Sequence, residues 1–217
     1  MSFRYYLYIS DSKVDMLLPQ IDPGFTARRT SEIGVDLKVL TAKRTGGAVS
    51  ADRTARLERV LRYLQDFGDL GSVDEPGQFF WGLLPMRWGP FPGQVEPSPV
   101  FFGGRTDRTV VGLGGSSRHL LGSAPGGGAM FSLMPPLLRG LGTESDLEDE
   151  ILVDTVNGDQ EDRSALAVVQ RAVERLKGPA QNVEFVAKRL LDGDSPYPES
   201  VGMSVLLGSP VYVALVD

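Results

Sequence analysis

The chain of 217 residues contains no cysteine. Disulfides, thiolate nucleophiles, cysteine-ligated zinc and iron–sulfur clusters are thereby excluded. Histidine is almost as scarce: His119 stands alone. A site with several histidine ligands in one chain is excluded, and any serine–histidine chemistry must use that one residue. A metal would need oxygen ligands, which narrows the choice to ions such as magnesium, calcium or manganese. No run approaches the roughly 20 apolar residues of a membrane span. The opening Met1–Tyr6 lacks the apolar core and cleavage site of a signal peptide. The expected address is therefore a reducing cytoplasm, with no membrane partner.

Glycine, at 26, and proline, at 15, favour a loop-rich fold containing strands over a helical bundle. A hydrophobic fraction of 41% and a charged fraction of 23% are those of a globular protein, long enough for one sizeable core. A single domain over 1–217 is expected. The net charge of −6 is unevenly spread: residues 1–142 carry 16 basic and 13 acidic side chains, residues 143–217 carry 6 and 15. Nine of the acids fall in 144–162, so 143–162 reads as an exposed acidic segment. An acidic chain is a poor ligand for phosphate backbones, and no nucleic-acid partner is expected.

Periodicity supplies the elements. Phe3 to Ile9 reads as a strand. Ser10-Asp11-Ser12 offers N-cap oxygens to a helix with Val14, Leu17, Leu18 and Ile21 on one face. Val35 to Leu40 alternates as a half-buried strand. Ser50 to Phe67 is a helix with Leu57, Val60, Leu61 and Leu64 inward. Its Arg53, Arg56, Arg59 and Arg62 drift around the surface, and Asp52–Arg56 and Arg62–Asp66 are expected to pair one turn apart. Gln78 to Leu84 reads as a strand, and the proline density that follows argues against any regular element. Val100–Gly103 and Thr109–Leu113 form a hairpin pattern around a loop of five residues. Gly126-Gly127-Gly128 is a joint, and Pro135-Pro136 interrupts 129–141. Two helices are expected near the end. Ala165 to Leu176 carries the first, and Val183, Val186, Ala187, Leu190 and Leu191 define the second. Gly178-Pro179 lies between them. Val201–Leu207 and Val211–Val216 read as closing strands. The expected fold is α+β, a mostly antiparallel or mixed sheet covered by about four helices.

The stretch from Thr109 to Gly122 carries the main candidate site. It reads as a short strand, a glycine turn at Gly112, Gly114 and Gly115, and a helix start at Ser116 or Ser117. Such a turn exposes amides to a ligand, and a helix start favours an anion. The spacing matches neither a phosphate loop nor a dinucleotide fingerprint. A hairpin strand ending in a bulge, followed by a helix capped by Ser116 or Ser117, is the commoner reason for such a stretch. Arg105 and Arg118 would supply charge, and Trp81 and Trp88 an apolar wall. Ser116 and His119, three apart, are the candidate catalytic pair, with Asp107 in reserve to orient the imidazole. Asp11 and Asp15, one helical turn apart, are the candidate metal ligands; capping and the helix dipole are the commoner reason for acids there. No cofactor motif is complete, and none is expected.

Several segments resemble an uncharacterised actinobacterial protein family. They are Tyr5-Tyr6-Leu7-Tyr8-Ile9-Ser10-Asp11-Ser12-Lys13-Val14-Asp15 at the start, Leu84-Pro85-Met86-Arg87-Trp88-Gly89-Pro90, the hairpin from Phe101-Phe102-Gly103-Gly104 to Gly122 with its Val110-Val111-Gly112-Leu113-Gly114-Gly115-Ser116, and the closing Leu207-Gly208-Ser209-Pro210-Val211-Tyr212-Val213-Ala214. The resemblance implies no activity, cofactor or site residue. The leading expectation is a non-catalytic cytoplasmic module binding a small ligand, anionic or not, or a partner protein. A hydrolase at Ser116/His119, or a metal-dependent enzyme at Asp11/Asp15, is the alternative.

Overall fold

The computed structural model describes residues 4–21, 46–90, 98–121 and 158–216. The strand expected at 35–40, the glycine joint, residues 129–141 and most of the acidic segment lie outside them. The chain divides into two compact units, Ser10–Asp69 and Met1–Ile9 with Leu70–Asp217.

In Ser10–Asp69, α1 (Asp11–Ile21) packs against α2 (Gly46–Phe67). The apolar faces read from the sequence are the buried ones: Val14 and Leu18 on α1, Leu57, Val60, Leu61 and Leu64 on α2. The arginines behave differently from expectation. Arg53 Nε donates to Asp11 Oδ1 at 2.7 Å, and Arg56 is paired with Asp15. Arg53 and Arg56 of the row on α2 thus pair with carboxylates of the other helix, α1.

The other unit is a barrel. Its strands are β1 (Tyr5–Ile9), β2 (Leu70–Ser72), β3 (Phe79–Pro90), β4 (Pro99–Arg105), β5 (Thr109–Ser116), β6 (Gln181–Asp194) and β7 (Ser204–Leu215), with helix α3 (Gly158–Arg175) between β5 and β6. The order β7-β5-β4-β3 continues through β6, which pairs with both β3 and β7 and closes the sheet. Five strands thus form a ring. All its pairings are antiparallel except β5–β7, which is parallel. This is a five-stranded Greek-key barrel, the architecture class of the OB fold. β2 and β1 attach to β3 and β7.

Alternation fills the ring. Phe80, Leu84 and Met86 of β3, Val100 and Phe102 of β4, Val111 and Leu113 of β5, Val183, Phe185 and Ala187 of β6, and Leu206 and Val213 of β7 form the interior cluster. The outward Phe101, Val110, Val205 and Leu207 pack under Leu166, Val169, Ala172 and Val173 of α3. Buried Gln170 ties α3 to the β6–β7 connection: Ser195 Oγ donates to its Oε1 at 2.7 Å, and its Nε2 donates to Ser200 Oγ at 3.0 Å.

Four expectations are corrected. The described residues contain three α-helices, and the sheet is closed. The second C-terminal helix is instead strand β6, because Val183, Phe185 and Ala187 alternate inward; Gly178, with φ +100°, ends the segment after α3 as a separator should. β3 runs on through Pro85 to Pro90, since Pro85 lies one row before Met86, where the β6 ladder ends and the β4 ladder begins. The two closing strands are one, β7, with a register shift opposite Val186/Ala187 that absorbs Pro210.

Candidate ligand site at one end of the barrel

The glycine stretch is the hairpin strand of the two readings, not a turn that exposes amides. Gly112, Gly114, Gly115 and Ser116 lie inside β5, paired with Gly103, Phe101, Val100 and Pro99 of β4. Gly112 and Leu113 are flanked on the other side by β7 as well. The glycines serve close packing. A Cβ on Gly112 would stand 2.8 Å from Phe101 Cζ and from Val169 Cγ1, and one on Gly115 would stand 2.5 Å from the Tyr8 hydroxyl. The hairpin loop shrinks to Thr106–Arg108 because Gly104 and Arg105 join the ladder.

At the end of β5 the chain makes one 3-10 turn, Ser117–His119. Ser116 caps it as expected, its Oγ accepting from the Arg118 N–H at 3.4 Å. The Ser117 N–H donates to Ser98 O at 3.0 Å, and the two hydroxyls lie 3.4 Å apart. His119 presents its ring to Tyr8, centroids 5.7 Å apart and nearly perpendicular. Tyr8 meets Phe102 at 6.1 Å in the same manner, and Phe102 meets Trp88 at 6.2 Å. Trp88, Leu7, Leu120 and Leu215 close over the interior, each partly buried. Arg118 is half-buried and makes no ion pair among the described residues.

Of the residues singled out from the sequence, Trp88, Gly115, Ser116, Arg118 and His119 are brought to this end. Arg105 is not: it pairs with Val110, six residues back along β5 from Ser116, a separation of about 20 Å. Arg105 and Arg118 therefore cannot hold one small anion. Asp107 shares the far hairpin tip and cannot orient His119. Trp81 pairs with Val186 on the outside of the ring, on the opposite face of β3 from Trp88. Asp11 and Asp15 are each engaged by an arginine, and no cluster of three or more potential ligands occurs among the described residues.

A polar group with no signal in the sequence is Glu184 of β6, bound by three donors. Its carboxylate accepts from Arg4 Nη2 at 2.6 Å, from Arg4 Nε at 3.1 Å and from the Tyr212 hydroxyl at 2.5 Å. Burial pushes the Glu184 carboxyl up, but the two donors and the guanidinium charge outweigh it and leave it lowered. Burial, then the bond to Glu184, raises the Tyr212 phenol, which stays protonated. No local pattern joins residues 4, 184 and 212; only the pairing of β1, β7 and β6 does.

The comparisons bear on the whole chain. A family model described as a family of unknown function, DUF7019, matches residues 4–217. The chain belongs to that family. No curated protein matches it, and no solved structure does. Membership in DUF7019 agrees with the resemblance to an uncharacterised family and brings no residue roles with it. No helix among the described residues is long and apolar enough to cross a membrane.

Proposed function

We propose that the protein is a non-catalytic binding module whose ligand is a small molecule with a flat apolar part and an anionic group. The observation that carries the reading is the placement, at one barrel end, of half-buried Trp88, the paired Ser98 and Ser117 hydroxyls and the half-buried Arg118. Small-molecule sites combine an apolar wall with a few polar groups that fix orientation. The interior is filled with side chains, so a ligand stays outside it, and the mouth is one place where small barrels take one. A cytoplasmic location and an actinobacterial origin belong to the same proposal; the lack of cysteine supports the first and the segments quoted above support the second. A partner protein is the second reading. It is favoured by Trp81 and Leu83, 49% and 57% exposed and side by side on the outer face of β3. The enzyme alternatives draw less support: Ser116 Oγ is a cap, and Asp11 and Asp15 are ion-paired.

Native mass spectrometry of the full chain from its own host tests the proposal. A reproducible added mass identifies the ligand, and titration with Arg118→Ala and Trp88→Ala then locates it. Each substitution is expected to weaken binding about tenfold, the loss of one charge-assisted bond or one aromatic wall. Unchanged affinity in both variants would overturn the site.

A further inference from the structure

The barrel wall has a gap at this same end. β5 and β7 pair from Thr109/Ser204 to Leu113/Gly208. Beyond that row β5 follows β4 to Ser116, while β7 follows β6 to Leu215. The two strands part, and β1 lies between them. It pairs with β7 from Tyr5/Leu215 to Ile9/Tyr212. On its other side it makes the Tyr8–Leu120 bridge and accepts from the Leu121 N–H at Leu7 O, 2.9 Å. The register shift between Tyr6 and Tyr8 turns the Tyr8 ring inward. There Tyr8 is 1% exposed and lies over Gly115, whose missing side chain makes the room.

We infer that β1 is a strap over this gap, which opens and closes as a unit while the barrel stays folded. The five-strand ring keeps every one of its ladders when β1 leaves, so opening breaks the contacts of β1 alone. Segments of that kind open with less free energy than the core to which they attach. The strap is held at its N-terminal end by Arg4 on Glu184 and near its C-terminal end by Tyr8. Opening uncovers Phe102 and His119 from the side of the wall, so β1 governs access to the barrel end. The inference rests on strand register and needs no ligand, so it stands or falls apart from the proposed function.

Hydrogen exchange of the full chain at pH 7, read by mass spectrometry, tests it. The protected amides of β1 are expected to exchange at least about tenfold faster than those of β6 and of Val205–Gly208 on β7, which pair with β5 and β6 and not with β1. Arg4→Ala should speed β1 by roughly a further tenfold, the loss of a charge-assisted bond, and leave β6 and Val205–Gly208 of β7 unchanged. Arg4 lies on the surface, so that variant folds; Gly115→Ala, which collides with Tyr8, should act in the same direction. Exchange of β1 in step with β6 and Val205–Gly208 of β7, in the wild type or in Arg4→Ala, would mean that β1 opens only with the barrel and would overturn the inference.

Discussion

Glu184 shows how one carboxylate binds three strands through side chains. It sits on β6 and accepts from Arg4, just before β1, and from Tyr212 on β7. Its folded pKa is lowered. Stability from it is therefore present above the unfolded value of about 4.3 and is lost as pH falls through the lower folded value. Glu184→Gln is expected to cost about 1–2 kcal/mol at pH 7, the net worth of such bonds at a part-exposed site. In urea titrations the gap between the two proteins should be full at pH 7 and should shrink at pH values below about 4. A gap independent of pH would mean that the charge is not what matters. The glycines make a second test at this scale. Gly112→Ala drives a methyl group into Phe101 and Val169, and overpacking of that kind costs about 1–3 kcal/mol. Gly89→Ala on β3 meets nothing within 4 Å and should be near neutral. Equal melting temperatures for the two would refute the packing role assigned to Gly112.

Among the elements, β6 is the one whose type the sequence concealed. Val183, Val186, Ala187, Leu190 and Leu191 fit a helical face, but that pattern leaves out Phe185. In the barrel Phe185 is fully buried, whereas Leu190 is 37% exposed at a register shift. Phe185→Ala is expected to cost about 3–5 kcal/mol and Leu190→Ala under about 1 kcal/mol, measured by chemical denaturation. The reverse ranking would restore the helix. Elements that close on themselves were legible. Helices α1 and α2 and the β4–β5 hairpin follow from spacings within a few residues, and so does the Ser116 cap. What depends on distant strands was not legible. Gly112 to Gly115 read as a turn because glycine usually marks one; here the glycines admit Phe101, the helix α3 and Tyr8, which arrive from elsewhere in the chain. The candidate site shares this division. Its tail, Ser116 to His119, was visible, but its pairing with Trp88 and Ser98, and its separation from Arg105 and Trp81, are properties of the register.

At the scale of the molecule, the position of α3 decides what the barrel can present. In OB barrels the face of the second and third strands binds oligonucleotides or oligosaccharides. Those strands correspond to β4 and β5, and their outer face is covered here. Phe101 and Val110 pack under Leu166, Val169 and Val173, and Gly103 lies so close to α3 that a Cβ would stand 3.0 Å from Val173 Cγ2. Charge points the same way, because a chain of net −6 repels a phosphate backbone at long range. Non-specific binders reach dissociation constants of about 10⁻⁴ to 10⁻⁶ M through phosphate neutralisation alone. Labelled oligo-dT and oligo-U should therefore show no rise in anisotropy up to about 100 μM protein at roughly 50 mM salt, conditions that favour any electrostatic contact. A rise that falls steeply with added salt would reveal a basic surface that the net charge conceals. A rise insensitive to salt would mean that α3 yields the β4–β5 face to stacked bases, and the barrel would then be a nucleic-acid module after all.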